Sequence, residues 1–289
     1  MQLRSATRIL VEIALFLLLS AALTIGSGIY NISFPPKSPP SPITPTDFDL
    51  NYLPVSFTAQ DGVLLAGWFI PAKGGQADSA VVVLHDMLAD KGELLPHVAF
   101  LADKFDMLVM DFRRQGESSR VMSTAGDRER RDAAAALNFI KKRGYRHIGL
   151  YGFGLGGSVA LSQAENPLVS AIVSEAAYAD LRSFLLEPFR PFGGLQKTMQ
   201  WIAVQSLRVI GVDLAAASPT ETLPGTKKRV LLVHAKGDTV VPFSNAQAIS
   251  AALAGDENAE FWFPESAVHG EGTQEFARRL LDFYSAYLK

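Results

Sequence analysis

The chain has 289 residues, 48% of them apolar, and a formal net charge of −2 at neutral pH. This length suits one large domain with a short appendage or two small domains, and the charge gives no sign of a nucleic-acid partner. Because the chain contains no cysteine, thiol nucleophiles, disulfides and cysteine-ligated metals are excluded.

The first feature along the chain is an apolar segment over residues 9–30, preceded by Arg4 and Arg8. Its length matches the ~20 residues that a helix needs to cross the core of a bilayer. The positive charges place its N-terminal end in the cytoplasm and the rest of the chain on the other side of the membrane. We interpret residues 1–30 as a signal anchor. The alternative is a signal peptide that is removed, which would leave a secreted domain.

Residues 31–50 contain a proline-rich stretch, FPPKSPPSPITP at 34–45. Proline at this density forms neither helix nor central strand and favours an extended, semi-rigid chain. We therefore expect a linker that connects the membrane segment to a domain at 51–289.

In that domain, short apolar runs alternate with helical patterns. The predicted strands are 55–58, 64–71, 80–84, 107–111, 147–152, 171–174, 230–235 and 260–264. The predicted helices are 94–103, 127–142, 155–164, 245–253 and 273–288. Strands that alternate with helices predict an α/β fold with a mostly parallel sheet and helices on both faces.

Residues 181–217 break this alternation, because they are rich in apolar side chains such as Phe184 and Trp201 and contain no strand pattern. We interpret this segment as a short helical lid over the carboxyl edge of the sheet. Its composition suggests an apolar acyl ligand, although a lid packed on the core would have the same composition.

The predicted strand 147–152 runs through a glycine-rich turn into the helix that begins at Leu155. A strand, a sharp turn with flanking glycines and a helix form the setting of the nucleophile elbow, G-x-S-x-G. With Gly152 and Gly156 as the flanking glycines, the central position is Gly154. Ser158 lies inside the helix and does not match the elbow.

On these residues the chain resembles the α/β-hydrolase family, especially its small membrane-anchored bacterial members related to serine aminopeptidases and esterases. The resemblance runs from about residue 51 to residue 289 and includes five further segments: 84–87, 111–118, 124–126, 237–242 and 268–270. It implies an α/β-hydrolase fold with a nucleophile, an acid and a histidine in that order along the chain.

Carried over position by position, the resemblance implies that Asp238 is the acid, His269 the general base and Gly154 the occupant of the nucleophile position. The oxyanion hole would come from the backbone N–H groups of Leu155 and Met87. Here the chain departs from the family a second time, since Asp86 stands where glycine is usual. A carboxylate there would disfavour a developing oxyanion unless it points away.

Several functions remain open at this stage. The chain is of the serine ester or peptide hydrolase type, and the loss of the serine predicts impaired catalysis. It is alternatively a membrane-tethered pseudoenzyme that binds a small acyl or peptide ligand, an interaction protein, a slow hydrolase in which His269 activates water, or an active hydrolase whose serine was deliberately changed. No metal or organic cofactor is expected, and the sequence gives no oligomeric state.

Overall fold

A computed structural model describes residues 2–34, 40–75, 78–186, 194, 196–266, 268–270 and 272–289. The described residues form one sheet of eight strands: β1 Leu53–Thr58, β2 Leu64–Ile70, β3 Ser79–Leu84, β4 Asp106–Met110, β5 His147–Phe153, β6 Val169–Glu175, β7 Arg229–Val233 and β8 Ala259–Trp262. Their order is β1-β2-β4-β3-β5-β6-β7-β8. The pairs β1–β2 and β2–β4 are antiparallel and all others are parallel. The predicted α/β fold with a mostly parallel sheet is confirmed.

The α-helices among the described residues are α1 Gln2–Ser33, α2 Lys91–Val98, α3 Glu129–Lys142, α4 Leu155–Leu161, α5 Leu181–Leu186, α6 Gln196–Val209, α7 Pro219–Thr222, α8 Ser244–Ala252 and α9 Gln274–Tyr287. They cover both faces of the sheet. Alternate residues of a strand point to opposite faces, and in β3 Val81 and Val83 pack with α2 and α9, whereas Val82 and Leu84 pack with α3 and α4. All four side chains are fully buried, so the central strand has a core on each side.

Helix α2 begins earlier than the sequence pattern predicted. The Asp90 side chain accepts hydrogen bonds from the backbone N–H groups of Gly92 and Glu93, at 2.9 and 3.1 Å. This N-cap satisfies backbone donors that the first turn of a helix leaves free. The cap fixes the start of the helix at Lys91, directly after the loop that follows β3.

The carboxyl ends of the parallel strands meet at one edge of the sheet. The loops after β3, β5, β7 and β8 carry Asp86, Gly154, Asp238 and His269, and β6 itself ends at Glu175. Because β3, β5, β6, β7 and β8 are consecutive neighbours in the sheet, residues that are far apart in the sequence come together there. Ligand sites of open α/β sheets lie at this edge.

Helix α1 contains a stretch, Val11–Asn31, that is long and apolar enough to span a membrane and is mostly exposed. The second half of α1 packs along α6, where Ile25 is buried against Met199 and Ala203. Within the predicted lid, the described residues form α5 and α6 and no strand; 187–193 and 195 lie outside the described residues.

The end of the predicted linker contacts the domain. The backbone N–H of Ser41 donates to Asp90 Oδ2 at 2.7 Å, and a short 3-10 helix follows at Pro45–Phe48. Residues 35–39 of the linker lie outside the described residues. The chain is thus attached to the cap of α2 several residues before the first strand of the sheet.

Candidate active site

The backbone at Gly154 makes a sharp turn between β5 and α4. Its φ is 56° and its ψ is −114°, which is a conformation that glycine adopts with far less strain than other residues. The Gly154 N–H donates to the backbone oxygen of Glu175 at 2.9 Å, and α4 starts at the next residue. Gly156 is needed for a different reason, because a Cβ there would collide with the backbone oxygen of Leu84. The strand–turn–helix geometry of an elbow is therefore present.

The carboxylate of Asp86 fills the space beside Gly154. A Cβ built on Gly154 would overlap Asp86 Oδ1 and Cγ and would lie 2.7 Å from Oδ2. Asp86 Oδ1 accepts a hydrogen bond from the backbone N–H of Leu155 at 2.7 Å. The side chain does not point away from the elbow. It occupies the volume that a side chain at position 154 would use, and it takes the N–H that the resemblance assigned to the oxyanion hole.

His85 fixes the backbone at Asp86. Its buried imidazole accepts a hydrogen bond at Nε2 from the Phe112 N–H, at 3.0 Å, so the proton of the neutral ring lies on Nδ1. Nδ1 then donates to the backbone oxygen of Asp86 at 2.7 Å. The loop after β3 is thereby held to the segment that follows β4, and Asp86 is held facing the elbow.

Asp238 and His269 are brought together on the loops after β7 and β8. Asp238 Oδ2 lies 2.7 Å from His269 Nδ1, and Oδ1 accepts from the backbone N–H groups of Val240 and Val241 at 2.8 and 2.9 Å. Burial acts to raise the pKa of Asp238, but the hydrogen bond from His269 and those from the backbone outweigh it, and the pKa is lowered. Asp238 is thus an ionised acceptor that orients the imidazole.

His269 lies between two carboxylates. Its Nε2 is 3.4 Å from Asp86 Oδ2, on the side opposite Asp238. Burial acts to lower the pKa of His269, but the hydrogen bonds with Asp238 and Asp86 outweigh it and raise the pKa to about 9. At neutral pH the ring is therefore an imidazolium, which donates protons and does not accept them.

A second histidine lies beside the first. His97, on α2, is 2.9 Å through Nε2 from Glu175 Oε2, which also accepts from the Tyr151 hydroxyl at 2.5 Å. Burial and the Glu175 charge raise the pKa of Tyr151 well above its usual value. The Phe153 ring contacts the rings of both His97 and His269. This pair was not predicted from the sequence, where its one signal is Glu175, a charged residue at the end of an apolar strand.

A pocket of about 350 Å³ opens at this edge of the sheet. It is lined by the carboxylates of Asp86 and Glu93, the imidazoles of His97 and His269, and the apolar side chains of Met87, Leu88, Leu94 and Phe153. The candidate oxyanion residue Met87 is thus at the pocket wall, whereas Leu155 is bonded to Asp86. No group of His, Cys, Asp and Glu within the described part of the chain has the arrangement of a metal site.

The serines near the elbow are engaged elsewhere. Ser158 is buried in α4 and donates to the backbone oxygen of Tyr178 at 2.9 Å. Ser174 Oγ donates to the backbone oxygen of Gly157 at 3.1 Å. Neither hydroxyl is bonded to His269, so neither replaces a serine at position 154.

Comparison with known families agrees with this geometry. Residues 116–289, more than half of the chain, match the model of the prolyl oligopeptidase family. The chain belongs to this family of α/β hydrolases. The matched residues include Gly154 at the elbow, Asp238 and His269.

The chain is similar to other proteins over most of its length. The uncharacterized protein YfhR of Escherichia coli O157:H7 is 25% identical over 240 residues, which cover 80% of this chain and 76% of YfhR. The esterase Pf2001 of Pyrococcus furiosus superposes with a TM-score of 0.74 at 23% identity, covering 89% of this chain and 99% of the esterase. The acylaminoacyl peptidase of Pyrococcus horikoshii gives a TM-score of 0.64 at 15% identity, covering 83% of this chain and 42% of the peptidase. At these identities the structural likeness shows the fold.

Proposed function

We propose that this chain is an α/β hydrolase that lacks serine-dependent acyl transfer and binds a small apolar acyl or peptide ligand in the pocket at the carboxyl edge of its sheet. The observation that carries the proposal is the Asp86 carboxylate beside Gly154. It takes the place of a serine side chain and uses the Leu155 N–H. Loss of the nucleophile costs a serine protease ~10⁶ in kcat, and a carboxylate in the oxyanion hole opposes any negative charge that develops there.

Direct activation of water by His269 on a bound ester is a poor alternative. The space beside Gly154 is filled by the Asp86 carboxylate. In addition, His269 has a pKa raised to about 9 by Asp238 and Asp86, against the effect of burial. A protonated imidazole is not a general base, so this route would be slow at neutral pH.

A deliberate change of a serine to glycine at position 154 is also disfavoured. A serine Cβ would collide with Asp86 in its present position. The carboxylate would have to leave both the Leu155 N–H and His269, with which it interacts at 2.7 and 3.4 Å. Gly154 and Asp86 fit each other as a pair, which supports a site that is built without serine.

The test is to treat the full-length chain with a fluorophosphonate probe and with short p-nitrophenyl esters. We expect no labelling, and ester turnover no faster than that of the His269→Ala variant. His147→Ala is the matched control, since His147 begins β5 at the opposite edge of the sheet. Labelling of the unaltered chain, or ester turnover that depends on His269, would contradict the proposal.

We also propose that α1 anchors the domain to a membrane with the domain on the extracytoplasmic side. The support is the exposed apolar stretch Val11–Asn31 and the arginines that precede it. We expect the protein to stay with membranes after a carbonate wash. Recovery of a soluble product whose N-terminus lies within residues 25–31 would instead indicate a cleaved signal peptide.

A further inference from the structure

The carboxylate of Asp86 has the surroundings that a nucleophile needs. Oδ1 is held by the Leu155 N–H at 2.7 Å. Oδ2 lies 3.4 Å from His269 Nε2, which is long for a hydrogen bond and leaves its lone pairs only weakly engaged. The Asp86 side chain is a quarter exposed and lines the pocket. One oxygen is thus fixed by a backbone N–H, and the other belongs to a carboxylate that lines the pocket.

From this geometry we infer that Asp86 is a carboxylate nucleophile for substrates in which a saturated carbon carries a halide leaving group, in the pocket of the proposed function and in place of the absent serine. Aspartate and glutamate carboxylates form covalent intermediates in other enzymes. The apolar wall of Met87, Leu88, Leu94 and Phe153 suits an unbranched alkyl chain.

The basicity of the leaving group decides the substrate class. A carboxylate that attacks an ester or an amide must expel an alkoxide or an amide anion. Both are far more basic than the carboxylate, so the intermediate expels the carboxylate again and returns to the starting materials. A halide is less basic than a carboxylate and leaves without a proton. This matters because His269 is not placed to supply one. Its Nδ1 is bonded to Asp238 at 2.7 Å, and its Nε2 faces the attacking oxygen at 3.4 Å, whereas the leaving group departs on the opposite side of the carbon.

In the first step, a lone pair of Asp86 Oδ2 forms a bond to the saturated carbon, and the carbon–halogen bond breaks with its electron pair going to the halide. The product is an alkyl ester of Asp86. Its formation removes the charge of one of the two carboxylates that raise the pKa of His269. His269 then loses its proton to solvent and becomes a base.

In the second step, His269 Nε2 takes a proton from water and the water oxygen adds to Asp86 Cγ. The negative charge that develops on Oδ1 lies on the oxygen already bonded to the Leu155 N–H. Collapse breaks the Cγ–Oδ2 bond. The alkoxide takes the proton from His269, and the new carboxylic acid returns its own proton to His269. Overall, one alkyl halide and one water give one alcohol, one halide ion and one proton.

The experiment uses 1-bromohexane with the full-length chain and measures bromide release. The absence of cysteine in the chain removes the commonest side reaction of alkyl halides. We expect multiple turnovers by the unaltered chain and at least a tenfold loss in Asp86→Asn, which keeps the shape but not the charge. Asp103→Asn is the control with full turnover, because Asp103 is half exposed, pairs with Lys73 and precedes β4 at the opposite edge.

Two further measurements test the covalent step. His269→Gln should release about one equivalent of bromide and retain a hexyl group on Asp86, found by intact mass and peptide mapping. Turnover of the unaltered chain in water enriched in heavy oxygen should label the Asp86 carboxylate. Equal bromide release by the unaltered chain and Asp86→Asn, a hexyl group on another residue, or turnover without label would overturn the inference. Fluorophosphonate labelling reports on the proposed function separately, so the two can fail independently.

Discussion

The site has an acid–histidine half, on the loops after β7 and β8, and an elbow half, on the loops after β3 and β5. In the acid–histidine half, Asp238 and His269 lie 2.7 Å apart, as the family resemblance implies. The elbow half has a sharp backbone turn at Gly154, but two of its positions differ from what the resemblance implies, with glycine where serine is expected and Asp86 where glycine is usual.

The elbow half is not an elbow with an empty position. The volume left free at position 154 is the volume that the Asp86 carboxylate fills. The two positions therefore form one unit, and substituting either one alone leaves a clash or a hole. In the acid–histidine half, His269 Nε2 faces the Asp86 carboxylate, which helps to raise the pKa of the ring. The bond between Asp238 and His269 Nδ1 is present all the same.

The largest effect is expected when both elbow positions are changed together. Asp86→Gly with Gly154→Ser removes the carboxylate and supplies a hydroxyl, and we expect ester turnover and fluorophosphonate labelling to rise at least about 10³-fold, part of the ~10⁶ that a serine nucleophile contributes. Gly154→Ser alone should gain far less, because Asp86 remains in the oxyanion hole. Equal activity of the single and double variants would show that the two positions are independent.

The next effect concerns the proton affinity of His269, which the NMR titration of its ring measures. The pKa near 9 of the unaltered chain should fall in both Asp238→Asn and Asp86→Asn, and further in Asp238→Asn, because Asp238 lies 2.7 Å from the ring and Asp86 3.4 Å. An equal fall in both variants would show that the two carboxylates hold the ring equally.

The same shift makes stability depend on pH. A histidine whose pKa is raised from 6.5 to about 9 on folding stabilises the protein fully below about pH 6.5, and this contribution is lost as the pH rises through 9. The free energy of unfolding of the unaltered chain should therefore exceed that of His269→Gln by more at pH 6 than at pH 10. His147→Gln, at the opposite edge of the sheet, serves as the control.

A smaller effect is expected from Gly154→Ala. The added Cβ collides with the Asp86 carboxylate, and φ is unfavourable for alanine, so the free energy of unfolding should fall by about 1–3 kcal/mol. Adding Asp86→Gly removes the collision and leaves the backbone strain. A double-mutant cycle measured by urea unfolding would thus give a coupling between the two positions, and purely additive effects would contradict their fit.

The smallest effect is expected from Asp90→Ala, which removes the N-cap of α2 and should lower the free energy of unfolding by about 1 kcal/mol. Thr273→Ala at the start of α9 removes a matched cap, where Thr273 accepts from the Phe276 N–H. We expect Asp90→Ala to lower the free energy of unfolding more than Thr273→Ala, because Asp90 also accepts a hydrogen bond from the Ser41 N–H.

Most of the fold follows from local sequence signals. The apolar run of β3 is buried on both faces, and the glycines at 152, 154 and 156 specify a turn that few other residues allow. The direction of the Asp86 side chain does not follow, because it depends on a hydrogen bond from His85 and on the space beside Gly154, which is 68 positions away. The pair of His97 and Glu175, 78 positions apart, is likewise created by the strand order.

The bond between Ser41 and Asp90 sets how far the pocket can be from a bilayer. Helix α1 ends at Ser33, and the chain is attached to the domain again at Ser41, on the cap of the helix that carries His97. An extended chain of this length reaches at most about 29 Å. With α1 in a membrane, as proposed, the attachment point stays within that distance of the end of α1, on the helix whose Glu93, Leu94 and His97 line the pocket. Apolar substrates that partition into the bilayer would then have a short path to the pocket, from a local concentration far above their solubility in water.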